Sequence, residues 1–301
     1  MRVACIGECM VELREEADGR FARGFGGDTL NTAIYLARLG MPVDYVTALG
    51  DDPWSLEMEA AWRAEGVGTE LVLRCPGAMP GLYVIQTDAG GERRFLYWRD
   101  SAAARRLFSL PETPAIAAAL QQRQLAYYSG ISLSLYGASG RAALFEAFAA
   151  ARAAGTRIAF DTNFRPRGWP DRAEAQAAYA QALASADLVF ASVEDLDLLY
   201  GAAWPERLAA GTGKAELVVK QPDLACRLRL ADGTEALVPT VPVAHVVDTT
   251  AAGDSFAAGY IAARLRGATA PEAAMAAHRL AGAVVCYPGA IIPRAAMPAA
   301  A

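Results

Sequence analysis

The sequence predicts a doubly wound α/β fold, with a mostly parallel central sheet and a small β lid. From residue 124 onward, β-rich runs alternate with helical patterns, which is typical of βαβ units with parallel strands and right-handed crossovers. In the N-terminal third, two β-hairpin signals indicate strands outside that sheet. The composition, 54% hydrophobic and 20% charged, allows a large core and excludes wholesale disorder. We expect one domain over residues 1–301, with lid segments at about 11–25 and 81–100.

The first hundred residues combine elements of the parallel sheet with the two hairpins. The apolar run at 3–7 predicts a short buried strand, and the helical spacing at 31–39 predicts a helix. Next come a strand in "DYVTALG" and an amphipathic helix in "PWSLEMEAAWRAEG". The hairpins are indicated by the dipeptide Asp18-Gly19 and by "AGGE", which separates the β-rich runs "GLYVIQTD" and "RRFLYWR".

Beyond residue 124 the alternation is regular. The predicted strands are "LAYYSG", "RIAFD", "DLVFAS" and "ELVVK", followed by a hairpin around Asp232-Gly233. The predicted helices span residues 138–153, 171–185, 193–200, 254–266 and 271–286. Ligands of such sheets bind at the carboxyl ends of the strands. We therefore expect functional residues in the loops that follow those ends.

Charge and cysteine content exclude several classes of function. A net charge of −5 and a pI near 5.2 argue against a nucleic-acid partner held by a basic surface. The five cysteines are scattered, without a Cys-x-x-Cys pair, which argues against a zinc site and a disulfide framework. The sequence shows no signal-peptide pattern and no apolar run of membrane-spanning length. We expect a cytoplasmic protein without a membrane partner.

The stretch "VVDTTAAGDSF" places a carboxylate where a strand passes into a helix. The small residues Ala251, Ala252 and Gly253 would let an anion approach the exposed N–H groups of the helix N-terminus. Asp254, at the rim of this anion hole, could accept a proton from a hydroxyl that attacks a phosphoryl group. The alternative is that Asp254 only caps the helix, a common role for aspartate.

The segment "DTTAAGDSFAAGY" resembles the C-terminal signature of the ribokinase-like (PfkB) sugar kinases, Asp-Thr-x-Gly-Ala-Gly-Asp, with Ala251 in place of the first glycine. The variant here is similar to that of the 2-keto-3-deoxygluconate kinases within the family. Further matches occur in the family order: "IGECMVEL", "FGGDTLNTAIYLARLG", "GERRFLYWRDSAAAR", "FDTNFRPRGW" and "GAIIPR". The resemblance implies a ribokinase-like three-layer αβα fold, ATP and Mg²⁺ as cofactors, and Asp254 as the catalytic base.

The resemblance also implies a sugar site. The glycine-rich turn at Gly26-Gly27-Asp28 could be purely structural, but in this family the corresponding turn lines the sugar pocket. Arg99 and Arg165, together with Tyr83 and Tyr97, are suited to an acidic sugar, because a guanidinium group binds a carboxylate bidentately. Arg167 competes with Arg165 for this role. The implied substrate-binding residues are Gly27, Asp28, Asn31, Tyr83, Tyr97, Arg99, Arg165 and Asp254.

For the nucleotide and the metal, the resemblance is less complete. The family's Asn-x-x-Glu pattern is replaced here by Ser192 and Asp195, and Pro222 stands where a glycine of the nucleotide loop is usual. Asp195 is expected to hold Mg²⁺ through water, although it could also belong, with Asp197, to a solvated helix face. The implied nucleotide-binding residues are Asn163, Ser192, Lys220 and Gly253.

The expected activity is ATP-dependent phosphorylation of 2-keto-3-deoxygluconate on its terminal hydroxyl, by direct in-line transfer to give the 6-phosphate. Two alternatives remain open: a PfkB kinase for a fructose- or ribose-type sugar, and a catalytically weak sensor that binds sugar acids. The β lid favours a homo-oligomer, because exposed strand edges tend to be covered. Whether a monovalent cation supports the anion hole is left open.

Overall fold

Two β-sheets organise the computed structural model, which describes residues 2–16, 18–87, 93–223, 225–240 and 242–299. Its strands are β1 (Val3–Ile6), β2 (Met10–Glu15), β3 (Phe21–Gly26), β4 (Val43–Leu49), β5 (Val72–Arg74), β6 (Leu82–Thr87), β7 (Arg93–Trp98), β8 (Leu125–Ser129), β9 (Arg157–Asp161), β10 (Leu188–Ser192), β11 (Glu216–Lys220), β12 (Cys226–Arg229) and β13 (Glu235–Val238). Within these ranges, the larger sheet has nine strands in the order β13-β12-β11-β10-β9-β8-β1-β4-β5, and the smaller has four in the order β3-β2-β6-β7.

Helices cover both faces of the larger sheet. They are α1 (Asp28–Arg38), α2 (Pro53–Ala64), α3 (Thr113–Leu120), α4 (Gly130–Leu135), α5 (Ala138–Ala153), α6 (Arg172–Ser185), α7 (Val193–Tyr200), α8 (Trp204–Thr212), α9 (Ala252–Leu265) and α10 (Ala270–Val284). One buried apolar cluster packs α1, α2, α9 and α10 against one face, and a second packs α3 to α8 against the other. The three-layer αβα architecture is therefore confirmed. Across the described ranges, each helix is too short or too polar to cross a bilayer.

The parallel register fixes where the strand ends lie. Strands β5, β4, β1, β8, β9, β10 and β11 run parallel, and the hairpin β12–β13 adds two antiparallel strands at one edge. The loops after β1, β8, β9, β10 and β11 therefore open at one common edge. The mostly parallel sheet predicted from the strand and helix alternation is confirmed, and it brings these loops together as expected.

The smaller sheet is the predicted lid. Strands β2 and β3 form an antiparallel hairpin around Asp18-Gly19, where Gly19 has φ 79°. Strands β6 and β7 are also antiparallel, and β6 joins β2 in parallel. The turn "AGGE" lies outside the described residues. These strands fall within or next to the predicted lid segments, and the single-domain organisation remains a prediction.

Some helices differ from the sequence-based expectation. Helix α8 was not among the predicted helices, and its last turn includes Gly211 and Thr212 of the segment "GTGK". Helix α9 begins at Ala252, two residues before its predicted start, because Ala251 supplies a left-handed N-cap with φ 62°. The short helix α4 was not expected either, because six residues carry too little periodicity to be recognised.

A buried carboxylate fastens α9 to the central sheet. Glu216, on β11, accepts hydrogen bonds from Tyr260 Oη at 2.6 Å and from Arg264 Nε and Nη2 at 2.9 and 2.8 Å. Burial by itself would raise the pKa of Glu216, but these donors outweigh it and hold the pKa below its ordinary value. The network positions α9, and with it the segment that carries Asp254.

We expect Glu216→Gln to lower the free energy of unfolding by roughly 2–3 kcal/mol, because it leaves the partly buried Arg264 without its carboxylate. The exposed pair of Glu235 and Arg227 provides the control: Glu235→Gln should change stability by less than about 1 kcal/mol. Thermal unfolding of the three proteins by circular dichroism measures both changes.

The difference in stability between wild type and Glu216→Gln should depend on pH. A lowered pKa stabilises the folded state above the ordinary value of 4.5 for glutamate, and this stabilisation is lost as pH falls through the lowered pKa. The Tm difference between wild type and Glu216→Gln should therefore be largest near neutral pH and shrink in acid. A constant difference at every pH would contradict the assigned role of the carboxylate.

Candidate active site

A cleft of about 1800 Å³ lies between the lid sheet and the carboxyl edge of the larger sheet. Five predicted substrate residues line it: Gly27, Asp28, Tyr97, Arg99 and Arg165. The cleft wall also contains charged and aromatic residues to which sequence reasoning assigned no role, among them Glu8, Arg105, Arg141 and Trp169. The structure therefore brings together residues that lie more than 130 positions apart in the chain.

Asp254 is held by a hydrogen bond from the lid-proximal helix. Asn31 Nδ2, on α1, donates to Asp254 Oδ2 at 2.8 Å, and Thr32 Oγ1 donates to the Asp254 carbonyl at 3.2 Å. Burial and the nearby charge of Asp28 raise the pKa of the Asp254 carboxyl well above its ordinary value, although the bond from Asn31 opposes them. A carboxylate with a raised pKa is a stronger proton acceptor, as a general base requires.

Asp28 is held in a similar way by a second amide. Asn163 Nδ2 donates to Asp28 Oδ2 at 2.8 Å. Asn163 follows β9 and adopts φ 29°, a backbone conformation that asparagine tolerates better than most residues. Two amide–carboxylate pairs, Asn31 with Asp254 and Asn163 with Asp28, therefore fix both acids at the same edge of the sheet.

The predicted anion hole lies at the start of α9. Ala251 takes a left-handed conformation, so the chain turns sharply into the helix. A Cβ added at Gly253 would lie 3.2 Å from Lys220 Nζ, so the ammonium approaches this glycine closely. The Ala252 N–H is already bonded within the chain, to the Thr249 carbonyl at 3.2 Å. The charge of Lys220 adds to the positive end of the helix dipole here.

Lys220 also faces a buried acid. Its Nζ lies 3.9 Å from Asp161 Oδ2, at the end of β9, and Tyr127 Oη donates to the same oxygen at 3.4 Å. Burial raises the pKa of Asp161 to about 6; Lys220 opposes this shift, while Asp195 and Asp28 add to it. Asp161 was assigned no role from the sequence. Its position at a strand end, next to Asn163, was the available signal.

Asp195 is buried, so the alternative that it belongs to a solvated helix face is wrong, whereas Asp197 is exposed. It accepts hydrogen bonds from Thr162 Oγ1 at 3.0 Å and from Arg165 Nη1 at 3.2 Å. Ser192 Oγ accepts a bond from the Asp195 N–H at 3.1 Å and thereby caps α7. Among the described residues, no cluster of three or more acidic, histidine or cysteine side chains could hold a metal ion by itself.

The lid residues are held by two further acids. Tyr83 Oη donates to Glu12 on the neighbouring strand β2, and the Tyr83 and Tyr97 rings lie 5.9 Å apart. Arg99 forms an ion pair with Glu8, which follows β1 and whose side chain is only 1% exposed. Burial raises the pKa of Glu8, although Arg99 opposes this shift. The Glu8–Arg99 pair therefore connects the body to the lid.

Arg141 forms another part of the cleft wall. It donates to Glu174 Oε1 at 2.5 Å and to the Tyr136 carbonyl at 3.0 Å. Its guanidinium lies 5.2 Å from the ring centroid of Trp169, within the range of a cation–π interaction. Arg141 comes from the interior of α5, where a single arginine in an amphipathic helix gives no sequence signal of function.

The segment after Lys220 is a tight turn. The Gln221 N–H donates to the Ala225 carbonyl at 2.8 Å, and Ala225 N–H donates to Asp223 Oδ1 at 3.2 Å. Pro222 lies in this turn between β11 and β12, and proline has no N–H to donate. Pro222, where the sequence departs from the family pattern, therefore lies in a hairpin turn. This turn has one backbone N–H donor fewer than it would have with the usual glycine.

The chain is similar to known proteins over nearly its whole length. The sequence profile described as pfkB family carbohydrate kinase matches residues 1–297. The chain is 45% identical to a protein named 2-dehydro-3-deoxygluconokinase from Dickeya dadantii (strain 3937), over 99% of this chain and 98% of the relative. It is equally similar to one of the same name from Escherichia coli (strain K12), with 99% of each chain covered. A fructokinase with bound ATP from Xylella fastidiosa has a TM-score of 0.82 and 28% identity, over 99% of this chain and 95% of the other.

We expect Lys220→Met to raise the pKa of Asp161 above about 6, because the substitution removes the opposite charge 3.9 Å away. The chain has one other lysine, the exposed Lys214, and Lys214→Met should leave this pKa unchanged. Carboxyl ¹³C NMR of aspartate-labelled protein, titrated with pH, measures the difference. An equal pKa in both variants would refute the electrostatic contact.

Proposed function

Because this chain belongs to the pfkB family of carbohydrate kinases, we propose that it phosphorylates 2-keto-3-deoxygluconate, which its relatives' names give as 2-dehydro-3-deoxygluconate. ATP would supply the γ-phosphoryl group, the terminal hydroxyl of the sugar acid would accept it, and the product would be the 6-phosphate. The observation that carries this proposal is the arginine-lined cleft that reaches Asp28, whose charge acts on Asp254.

An acidic acceptor suits the side chains of the cleft. Guanidinium groups bind a carboxylate through two parallel, charge-assisted N–H bonds, which a neutral hexose does not offer. Arg99 follows the lid strand β7, and Arg165 follows β9, so an acceptor in the cleft meets arginines of the lid and of the body. The proposed acceptor-binding residues are Gly27, Asp28, Asn31, Tyr83, Tyr97, Arg99 and Arg165.

Asp254 is the proposed base. The O–H proton of the terminal hydroxyl passes to the carboxylate while the oxygen attacks the γ-phosphorus in line, and ADP leaves with the electrons of the broken P–O bond. The bond from Asn31 holds one oxygen of Asp254. Because phosphoryl transfer has a loose transition state, this positioning contributes more than base strength alone.

Charge on the transferred group is stabilised by the start of α9 and by Lys220, in this proposal. The 14-residue helix directs its positive dipole end to Gly253, and the ammonium approaches the same residue. Asn163 and Ser192, at the ends of β9 and β10, complete the proposed nucleotide site. These groups surround an anion with fixed donors, which is what an ATP phosphate requires.

The acids at the strand ends fit a hard cation. Asp195 is close enough to raise the pKa of Asp161, so their oxygens form an acidic pair at the edge of the sheet. Mg²⁺, when bound with the nucleotide, would neutralise phosphate charge, and Asp195 would hold it through water. Arg165 already compensates part of the charge of Asp195, which favours an indirect contact over direct ligation.

An ADP-release assay with a panel of acceptors tests the function, and Asp254→Asn tests the base. We expect wild type to turn over 2-keto-3-deoxygluconate faster than fructose or a ribonucleoside. Asp254→Asn should lose roughly 10²- to 10⁴-fold in kcat while calorimetric affinity for the sugar acid changes little. The exposed Asp197, on α7, provides the matched control, and Asp197→Asn should retain turnover.

The outcomes of this assay separate the alternatives. Faster turnover of fructose or a ribonucleoside would identify a kinase for another sugar. No ADP with any acceptor, together with measurable sugar-acid binding, would identify a sensor, for which the turn at Pro222 provides a structural reason. Near-normal turnover by Asp254→Asn would remove Asp254 as the base without affecting the choice of substrate.

We also propose that the protein assembles as a homo-oligomer through the lid. The edge strands β3 and β7 carry exposed Phe21 and Trp98, and Trp98 is 60% exposed. Within the described residues, neither edge has a further strand beside it, and such edges with apolar side chains tend to be covered by another chain.

We expect Trp98→Glu to shift the protein to monomers in sedimentation velocity experiments, because a charge would be buried in the contact. Leu237, which is 62% exposed on β13 at the edge of the larger sheet, provides the control. Leu237→Glu should leave the oligomeric state unchanged. A monomeric wild-type protein at assay concentration would refute the proposed assembly.

A further inference from the structure

The arginines of the cleft differ in whether an acid already compensates their charge. Arg99 pairs with Glu8, and Arg165 pairs with Asp195 at 3.2 Å. Arg141 pairs with Glu174 at 2.5 Å. Each of these guanidinium groups is therefore balanced by a carboxylate of the chain itself. A substrate carboxylate gains less from a cation that is already neutralised, because it must compete with the existing partner.

Among the residues that the structure describes, Arg105 has no such carboxylate partner. It lies in the short 3-10 helix Ala103–Ser109, which begins four residues after Arg99, and it lines the cleft. It is half-buried, next to the buried Ala104 and Leu107, and across the described ranges it makes no ion pair or side-chain hydrogen bond. Its guanidinium is nonetheless close enough to Glu8 to lower the pKa of that carboxyl.

The surroundings of Arg105 leave its charge available to a ligand. Glu8, whose pKa the charge of Arg105 lowers, is already paired with Arg99, so the Glu8–Arg99 pair contributes no net charge. Arg167 also lines the cleft, but it is exposed, so water can solvate it. A half-buried guanidinium without a carboxylate is costly to maintain, and a bound anion would remove that cost.

We infer that Arg105 binds the carboxylate of the acceptor and is the residue that sets the preference for a sugar acid over a neutral sugar. Arg99, held by Glu8, then shapes the site and donates its remaining N–H groups, without supplying net charge. This inference rests on the proposed function, which it deepens by naming the cation that selects the substrate class.

The test compares Arg105→Ala with Arg106→Ala, since Arg106 is the next residue and is exposed. Arg105→Ala should raise KM for 2-keto-3-deoxygluconate roughly 10- to 100-fold, with kcat changed far less, because a charge-assisted hydrogen bond is lost. Arg105→Lys should recover part of the affinity, since it keeps the charge but not the bidentate fork. Arg106→Ala should behave as wild type.

A neutral sugar separates charge recognition from general damage to the site. With fructose as acceptor, Arg105→Ala should change KM less than twofold, so the preference for acid over neutral sugar falls by nearly the full factor. Equal losses for acid and neutral acceptors, or the same loss in Arg106→Ala, would overturn the inference. A thermal melt confirms that Arg105→Ala is folded before its kinetics are interpreted.

The inference and the proposed function fail in different ways. Calorimetric titration of 2-keto-3-deoxygluconate into wild type and Arg105→Ala measures binding without turnover. Weaker binding in the variant supports the role of Arg105 even if the assay finds no kinase activity. Unchanged binding in the variant overturns that role even if wild type phosphorylates the sugar acid rapidly.

Discussion

The hydrogen bond from Asn31 to Asp254 joins helices α1 and α9 through two residues that are 223 positions apart in the sequence. Helix α1 begins directly after the lid strand β3, and α9 begins at the predicted anion hole. This one contact therefore joins the proposed acceptor side of the site to the proposed phosphoryl side. The remainder of the site is arranged around it. Asp28 raises the pKa of Asp254 through its charge, and Glu216 fastens α9 to β11.

The parallel sheet explains how so many charges can be held together. Strands that run in one direction deliver their following loops to one edge, which is where Asp161, Ser192 and Lys220 lie. Burying charges is costly unless each has a partner, and most of the acids here have a cation or an amide within bonding distance. The result is a set of preorganised dipoles and ions, which is how proteins stabilise charge that develops during a reaction.

In the proposed function, substrate choice and phosphoryl chemistry occupy different parts of the molecule. The lid and its junction with the body contribute Tyr97, Arg99 and Arg105, whereas the body contributes Asp254 and Lys220. The fold is shared with a fructokinase of only 28% identity, at a TM-score of 0.82 over 99% of this chain. One fold can serve different acceptors when the residues that contact the acceptor differ, and in the proposed function those residues include the lid-side arginines.

The sequence alone determined the layer architecture and several elements to the residue. Helices 138–153 and 193–200 and strands β9 and β11 lie where local periodicity and capping signals place them, because these signals come from neighbours in the chain. Only the tertiary structure decided the left-handed turn at Ala251 and the pairing of Arg99 with Glu8 or Lys220 with Asp161. Twenty-eight basic and 33 acidic residues allow many pairings, and long-range packing selects among them. That selection also left Arg105 uncompensated, which no local pattern reveals.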